Sequence, residues 1–298
     1  MRFEQALTLA GLRPRDVVAD GRWRRCATDD KPMKRNGSYK LAVGGARGWW
    51  RNWALDSDLN VWDDDTSVPV RKVDEAAMRA RRDRDRAGRI VAMRRAREYW
   101  RRARPLNRPH PYLEQKGLSP FGCAGLREHD GLLVVPVWHG EWIISVQTIH
   151  PDGTKRFAAG APVKAGCYVI EREHAAVTAF AEGLATGLAV FQAMRQARVV
   201  VCFDAGNLLP VVQRLRPRGT VVIAADNDHA TAARLGFNPG REKAQQAATL
   251  IGCGVAWPEG IVGTDWADAA KEWGRPQSDR RIERLILKGA RYVEADTS

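Results

Sequence analysis

The sequence predicts an α/β protein: a parallel sheet flanked by helices, preceded by a mixed α+β region and a small N-terminal domain. Three observations predict it. From residue 176 onward, apolar runs of strand length alternate with helix-length amphipathic segments, the pattern of a sheet covered on both faces. Three of those runs (AAVTAFAEG, RVVVCFDAGN and TVVIAADND) end in acids. The 298 residues, 44% hydrophobic, give room for two or three domains with at least one filled core.

Taken in order, MRFEQALTLAGLRPRD lacks the apolar core of a secretory signal and reads as a short amphipathic helix. Residues 1–70 form the small N-terminal domain. RWRRCAT, GSYKLAV and WWRNWAL alternate enough for short strands, Gly37, Gly44 and Gly45 stand where turns belong, and the acidic run DSDLNVWDDD closes the unit. Six tryptophans lie in the first hundred residues. Beside Arg47 and Arg51, Trp49, Trp50, Trp53 and Trp62 serve either as core or as platforms for unpaired bases. Residues 71–108 are a basic helical linker. Between 71 and 104 there are fourteen Lys or Arg against five acids, most of the net charge of +13. Ala80, Ala87, Ile90, Val91, Tyr99 and Trp100 supply its thin apolar stripe, and Pro105 ends it. A basic helix of this kind suits phosphate contact.

Residues 109–175 read as a β-rich subdomain. GLLVVPVW and EWIISVQTIH meet at the turn HGE, KRFAAG follows the turn PDG, and CYVI adds a strand. Residues 176–275 are the alternating α/β domain, and 276–298 a C-terminal helix and tail. No apolar run is long enough for a membrane span. Five scattered cysteines without a CxxC point to free thiols, a reducing, cytoplasmic setting, and no zinc ribbon.

In a parallel sheet the ligand site lies beyond the carboxyl ends of the strands. Glu182-Gly183, Asp204, and Asp226 with Asp228 all fall there. Carboxylates drawn together repel and raise each other's pKa unless a cation neutralises them. Oxygen donors without His or Cys favour Mg²⁺ or Mn²⁺ over zinc. Gly183 leaves room for close approach of backbone or phosphate. A single acid after a strand is also a common helix cap, a reading that stays open for Asp204, where Asn207 is a second candidate cap.

AFAEGLATG followed some forty residues later by VVIAADND resembles the Toprim domain, the metal-binding module of bacterial-type primases, of topoisomerases and of some nucleases. VVVCFDAGNL, NPGREKAQQAA and TDWADAAKEWG, with HPYLEQKGL, LLVVPVW, SVQTIHPDGTKRF and GCYVI upstream, resemble Toprim primases of plasmids and phages over residues 105–275. The resemblance implies a Toprim-like fold and DNA primase activity: short RNA primers made from ribonucleoside triphosphates on a single-stranded DNA template, with a separate helicase as partner, since the chain shows no Walker A sequence. It implies Glu182, Asp226 and Asp228 as catalytic and metal-binding residues, Asp204 and Asp268 as further ligands, Asp265 near them, and Lys155, Arg156, Arg241 and Lys243, with Gly183, on nucleotide or nucleic acid. It also implies that residues 20–65 stand where such primases carry a zinc-binding module, here without its cysteines. A Toprim nuclease and a non-catalytic single-strand-binding accessory protein are the competing readings.

Overall fold

The computed structural model describes residues 1–30, 32–33, 35–53, 59–64, 75–119, 125–236 and 238–294. Part of the acidic run at 56–65, the start of the linker at 71–74, and Cys123 lie outside them. The chain divides into two compact units, Met1–Arg82 and Asp83–Ser298.

The first unit opens with α1 (Phe3–Leu9) and holds an antiparallel sheet in sequence order: β1 (Leu12–Arg13), β2 (Arg24–Thr28), β3 (Gly37–Leu41), β4 (Arg47–Asn52) and β5 (Asn60–Asp63). Side chains alternate across the sheet. One face delivers Cys26, Tyr39, Leu41, Trp50 and Trp62 to a core closed by Phe3 and Leu7. The opposite face carries Arg25, Lys40, Arg47, Trp49 and Arg51. Trp50 and Trp62 are therefore core. Trp49 stacks with Lys40 and Arg47, and Trp53 with Arg51 and Arg25.

The second unit begins within α2 (Glu75–Arg102). Its apolar stripe differs from the one expected. Ala80, Ala87, Ile90 and Val91 are exposed, while Ala92, Ala96 and Trp100, spaced i, i+4, i+8, are buried, and Ala96 and Trp100 pack on the sheet residues Val134, Ile143 and Val146. The buried stripe mixes small residues with the large Trp100, and Ile90 and Val91 fall outside its arc. That sheet is antiparallel, formed by β6 (Arg104–Pro105), β7 (Arg127–His129), β8 (Leu132–His139), β9 (Trp142–Ile149) and β10 (Lys155–Phe157), with the short α3 (Pro111–Gln115) between β6 and β7.

β11 (Tyr168–Ile170) leaves this sheet and pairs with the next. That sheet has the order β11, β13 (Ala197–Val201), β12 (Val177–Ala181), β14 (Gly219–Ala224), β15 (Gly254–Ala256). β12 to β15 run parallel, β11 antiparallel. β16 (Arg291–Val293) pairs antiparallel with the start of β14. Helices α4 (Leu184–Ala193), α5 (Ala205–Leu215), α6 (His229–Leu235), α7 (Pro239–Ile251), α8 (Trp266–Trp273) and α9 (Gln277–Gly289) make the crossovers and the C-terminal cover. β12 is buried at all five positions and α4 at nine of ten, as a central strand and its crossover helix must be. Gly187 is needed in α4: a methyl there would stand 2.7 Å from Val201.

Candidate metal and nucleotide site

Register fixes the site. Ala181 lies level with Val201 on one side and Ala224 on the other. Glu182 therefore leaves the sheet one residue past that line, Asp226 two and Asp204 three, all at the carboxyl edge. Phe203, just before Asp204, takes φ +75°, uncommon for a residue other than glycine, and turns the chain sharply into α5.

Glu182 and Asp226 are half-buried and belong together. Burial first, and then the charge of Asp204, push the Glu182 carboxyl above its ordinary pKa. The Ala205 amide, Lys155 and Lys243 oppose this. Burial and the charge of Glu182 push Asp226 up to about 7, against a hydrogen bond from Thr186. Thr186 Oγ1 donates to Asp226 Oδ1 at 2.7 Å. A methyl on Gly240 would sit 3.7 Å from Glu182 Oε2 and 3.5 Å from Asn238 Oδ1, so α7 enters the site with a glycine.

Asp204 holds the N-cap position of α5, but its side chain caps nothing. It lies exposed at the rim, where a methyl on Gly206 would meet both its Oδ1 (3.1 Å) and Lys243 Nζ (3.7 Å). Asn207 is a tie rather than a cap. Its amide accepts from the Ala165 N–H and donates to the carbonyls of Gly166 and Cys202. Asp228 turns to its own helix, accepting from the amide and hydroxyl of Thr231.

Asp265 and Asp268 sit past the sheet edge in the segment TDWADAA. They form a capping box at the start of α8. Lys116, from the turn after α3, donates to Asp265 Oδ2 and Asp268 Oδ1, each at 2.7 Å. Burial raises the pKa of Asp268, but the Lys116 bond, the Thr264 amide and the charge of Lys116 outweigh that and hold it below the usual carboxylate range. Trp266, fully buried, ties this segment to the strand tip by donating to the Ala225 carbonyl.

Lys155, Lys243 and Lys116 reach these acids from other parts of the chain. Lys155 and Arg156 are successive strand residues and face opposite ways; Lys155 influences both Glu182 and Asp226. A methyl on Gly183 would touch only Lys155 Nζ, at 3.8 Å, and its φ of −120° suits any residue, so glycine is not required there by the backbone. Arg241 lies over the Trp257 ring at 3.8 Å, and only Lys243 of that pair approaches the carboxylates. Glu182 and Asp226 form a central pair, with Asp204 and Asp228 at its flanks and Asp268 bonded to Lys116. Among the described residues no three His, Cys, Asp or Glu side chains are grouped closely enough to hold a metal ion. The donor chemistry still suits a hard cation: Glu182 and Asp226 are oxygen donors whose mutual repulsion a divalent ion would relieve.

Sequence reading missed Lys116 and Thr186. Thr186 had a usable signal, since a hydroxyl four residues after Glu182 in a helix that starts at the strand tip faces the same edge. Lys116 had none, being 149 residues from Asp265.

A buried parallel strand ends in Glu-Gly, a neighbouring one in Asp-x-Asp, and oxygen donors lie at their common edge. Residues 177–276 match the Toprim domain family, which implies a divalent metal. Beyond that module, the chain is 35% and 34% identical over 165 residues to two Escherichia coli proteins, each called DNA primase TraC. These matches cover 52% of this chain but only 15% and 11% of the relatives' own lengths. Solved structures that overlap the chain include the primase fragment of the bacteriophage T7 primase-helicase protein (TM-score 0.42, 14% identity, 58% of this chain and 73% of that one). The DnaG primase catalytic domain bound to ssDNA overlaps with TM-score 0.40 and 13% identity, over 70% of this chain and 84% of that one. Such loose overlaps add nothing to the geometry above. Among the described residues no helix is long and apolar enough to cross a membrane.

Proposed function

We propose that the chain is the catalytic part of a DNA primase, a nucleotidyltransferase that makes short RNA primers from ribonucleoside triphosphates on single-stranded DNA. The observation that carries this is the Glu182–Asp226 pair, set at level ends of adjacent parallel strands inside the stretch that matches the Toprim family.

Glu182 and Asp226 would hold Mg²⁺ or Mn²⁺, with Asp204 and Asp228 as flanking carboxylates. A metal ion bound there supplies charge neutralisation for the triphosphate and its pyrophosphate leaving group. Lys155 and Lys243, already close to the carboxylates, add positive charge where the phosphates would lie. Glu182, whose pKa is raised, is suited to take the proton of an attacking 3′-hydroxyl at its free oxygen. Thr186 fixes the orientation of Asp226. The Lys116 clamp holds the α8 segment behind the site, so Asp265 and Asp268 position the edge rather than bind the ion. Arg156 and Arg241 contact nucleic acid further out. A separate helicase, supplying the single strand, is the partner this activity calls for.

The test is labelled ribonucleotide incorporation on a panel of single-stranded templates with Mg²⁺ or Mn²⁺, for wild type, Glu182→Gln, Asp226→Ala and Asp228→Ala. Primer synthesis lost in the Glu182 and Asp226 variants supports the assignment. Cleavage of plasmid DNA without incorporation favours the nuclease. Single-strand binding with neither activity favours the accessory protein.

A further inference from the structure

We propose that the tip of the β8–β9 hairpin and an arginine stripe of α2 form a docking surface for single-stranded nucleic acid, with one base stacked on Trp142. For its biological meaning this rests on the template-directed reading above, but the surface is separate from the carboxylates. Lys155 pairs with Ile149 at one end of β9, and Trp142 stands at the other. Seven strand steps put them about 23 Å apart.

Trp142 is 64% exposed. It sits opposite His139 where the hairpin turns, and it covers no core. Its indole is nevertheless held in place. The Arg97 guanidinium lies 5.2 Å from the ring centroid, and Arg97 Nε is itself anchored on the Ile143 carbonyl at 2.8 Å. Most of the ring is left to solvent as a fixed flat platform. Stacking on such a platform is available to an unpaired base and denied to a base inside a duplex.

Charge runs up to this platform. The burial of Ala92, Ala96 and Trp100 along one stripe fixes how α2 is rotated. At 100° per residue, Arg86, Ile90, Arg94, Arg97 and Arg101 then share an arc of about 80° beside the buried face. Arg86, Arg94 and Arg101 are exposed; Asp83 falls on the same arc just before Arg86, and no acid does between residues 86 and 101. Glu98 lies on its flank and Glu141 in the hairpin turn, so the local excess remains positive. A row of arginines tracking a backbone beside a held aromatic ring is the pairing that single strands use. A merely solvated helix face accounts for the arginines and not for the indole held at the end of them.

The experiment measures binding of the full chain to a labelled oligothymidylate by fluorescence anisotropy over a range of salt, with a duplex of equal length alongside. Trp142→Ala is expected to weaken single-strand binding by about tenfold at every salt concentration. Trp142→Phe should keep most of the affinity, and duplex binding should be unmoved in both. Arg94→Ala with Arg101→Ala should shallow the slope of log affinity against log salt by about 1.4 on single strands. These two residues are on the surface, so the slope carries the test if Trp142→Ala fails to fold. Wild-type affinity in Trp142→Ala, an equal loss on duplex, or an unchanged slope in the arginine variant overturns the proposal. If wild type makes no primer while Trp142→Ala still loses single-strand binding, the surface stands and the primase reading falls.

Discussion

Two pairs of carboxylates lie beyond the same sheet edge and have opposite electrostatic fates. Asp265 and Asp268 share the ammonium of Lys116, and Asp268 is held below its ordinary pKa. Glu182 and Asp226 face each other without a direct ion pair among the described contacts and are raised, Asp226 to about 7. The first pair is closed, with its attraction spent on joining α8 to the turn after α3. The second pair is open, with the energy cost of bringing the acids together left for a ligand to relieve. Proximity alone therefore does not mark a reactive acid; the absence of a clamping cation separates the site from the scaffold around it.

The largest expected effect breaks the open pair. Asp226→Asn should lower metal-dependent primer synthesis by at least about a hundredfold, as losing a main electrostatic contact commonly does. It should also abolish the rise in Tm on adding Mg²⁺. Normal Mg²⁺ stabilisation in the variant would show that the open pair is not the metal site. The same substitution sharpens the contrast through pH. The folded pKa of Asp226 lies above its unfolded value of 3.8, so the folded state binds the extra proton between about 4 and 7 and stability falls as pH rises through that window. Asp226→Asn should flatten this slope and raise Tm at pH 8 without metal. Asp268 has the opposite sign. Its stabilisation is present above the normal carboxylate pKa and fades as pH drops below it.

Next in size is the clamp. Lys116→Met leaves two half-buried carboxylates side by side and should cost about 1–3 kcal/mol in urea unfolding, less than a fully buried pair because all three groups retain solvent contact. Adding Asp265→Asn and Asp268→Asn should recover much of that loss; no recovery would mean that packing, not charge, is responsible. Thr186→Val should cost about 1 kcal/mol and raise the pKa of Asp226 further, seen as a shift in its titration by NMR. The smallest effect is Gly183→Ala, expected within about 0.5 kcal/mol of wild type, since the added methyl meets only the end of Lys155.

The parallel sheet and the acids at its tips were legible because both leave local marks: five-residue apolar runs, then a carboxylate. The β8–β9 hairpin was equally plain. What stayed hidden depends on partners far away in sequence. β16 has only three residues, too few for periodicity, and is a strand only because β14 offers an edge; β11 was legible as a strand in CYVI, but its pairing with β13 was not. The buried face of α2 was misread because Ile90 and Val91 outrank Ala92 and Ala96 in hydrophobicity, while the sheet contacts made by Ala96 and Trp100 set which arc is covered. Nor did the sequence disclose that the hydroxyl of Thr231 bonds Asp228 and the ammonium of Lys116 bonds Asp268.

Asn207 has one further consequence. Its single amide joins the 163–166 loop, the end of β13 and the first turn of α5, with Asp204 only three residues earlier. The loop leading into β11 and the acid edge are thereby joined. Removing that amide would leave three backbone polar groups unpaired at the junction beside Asp204.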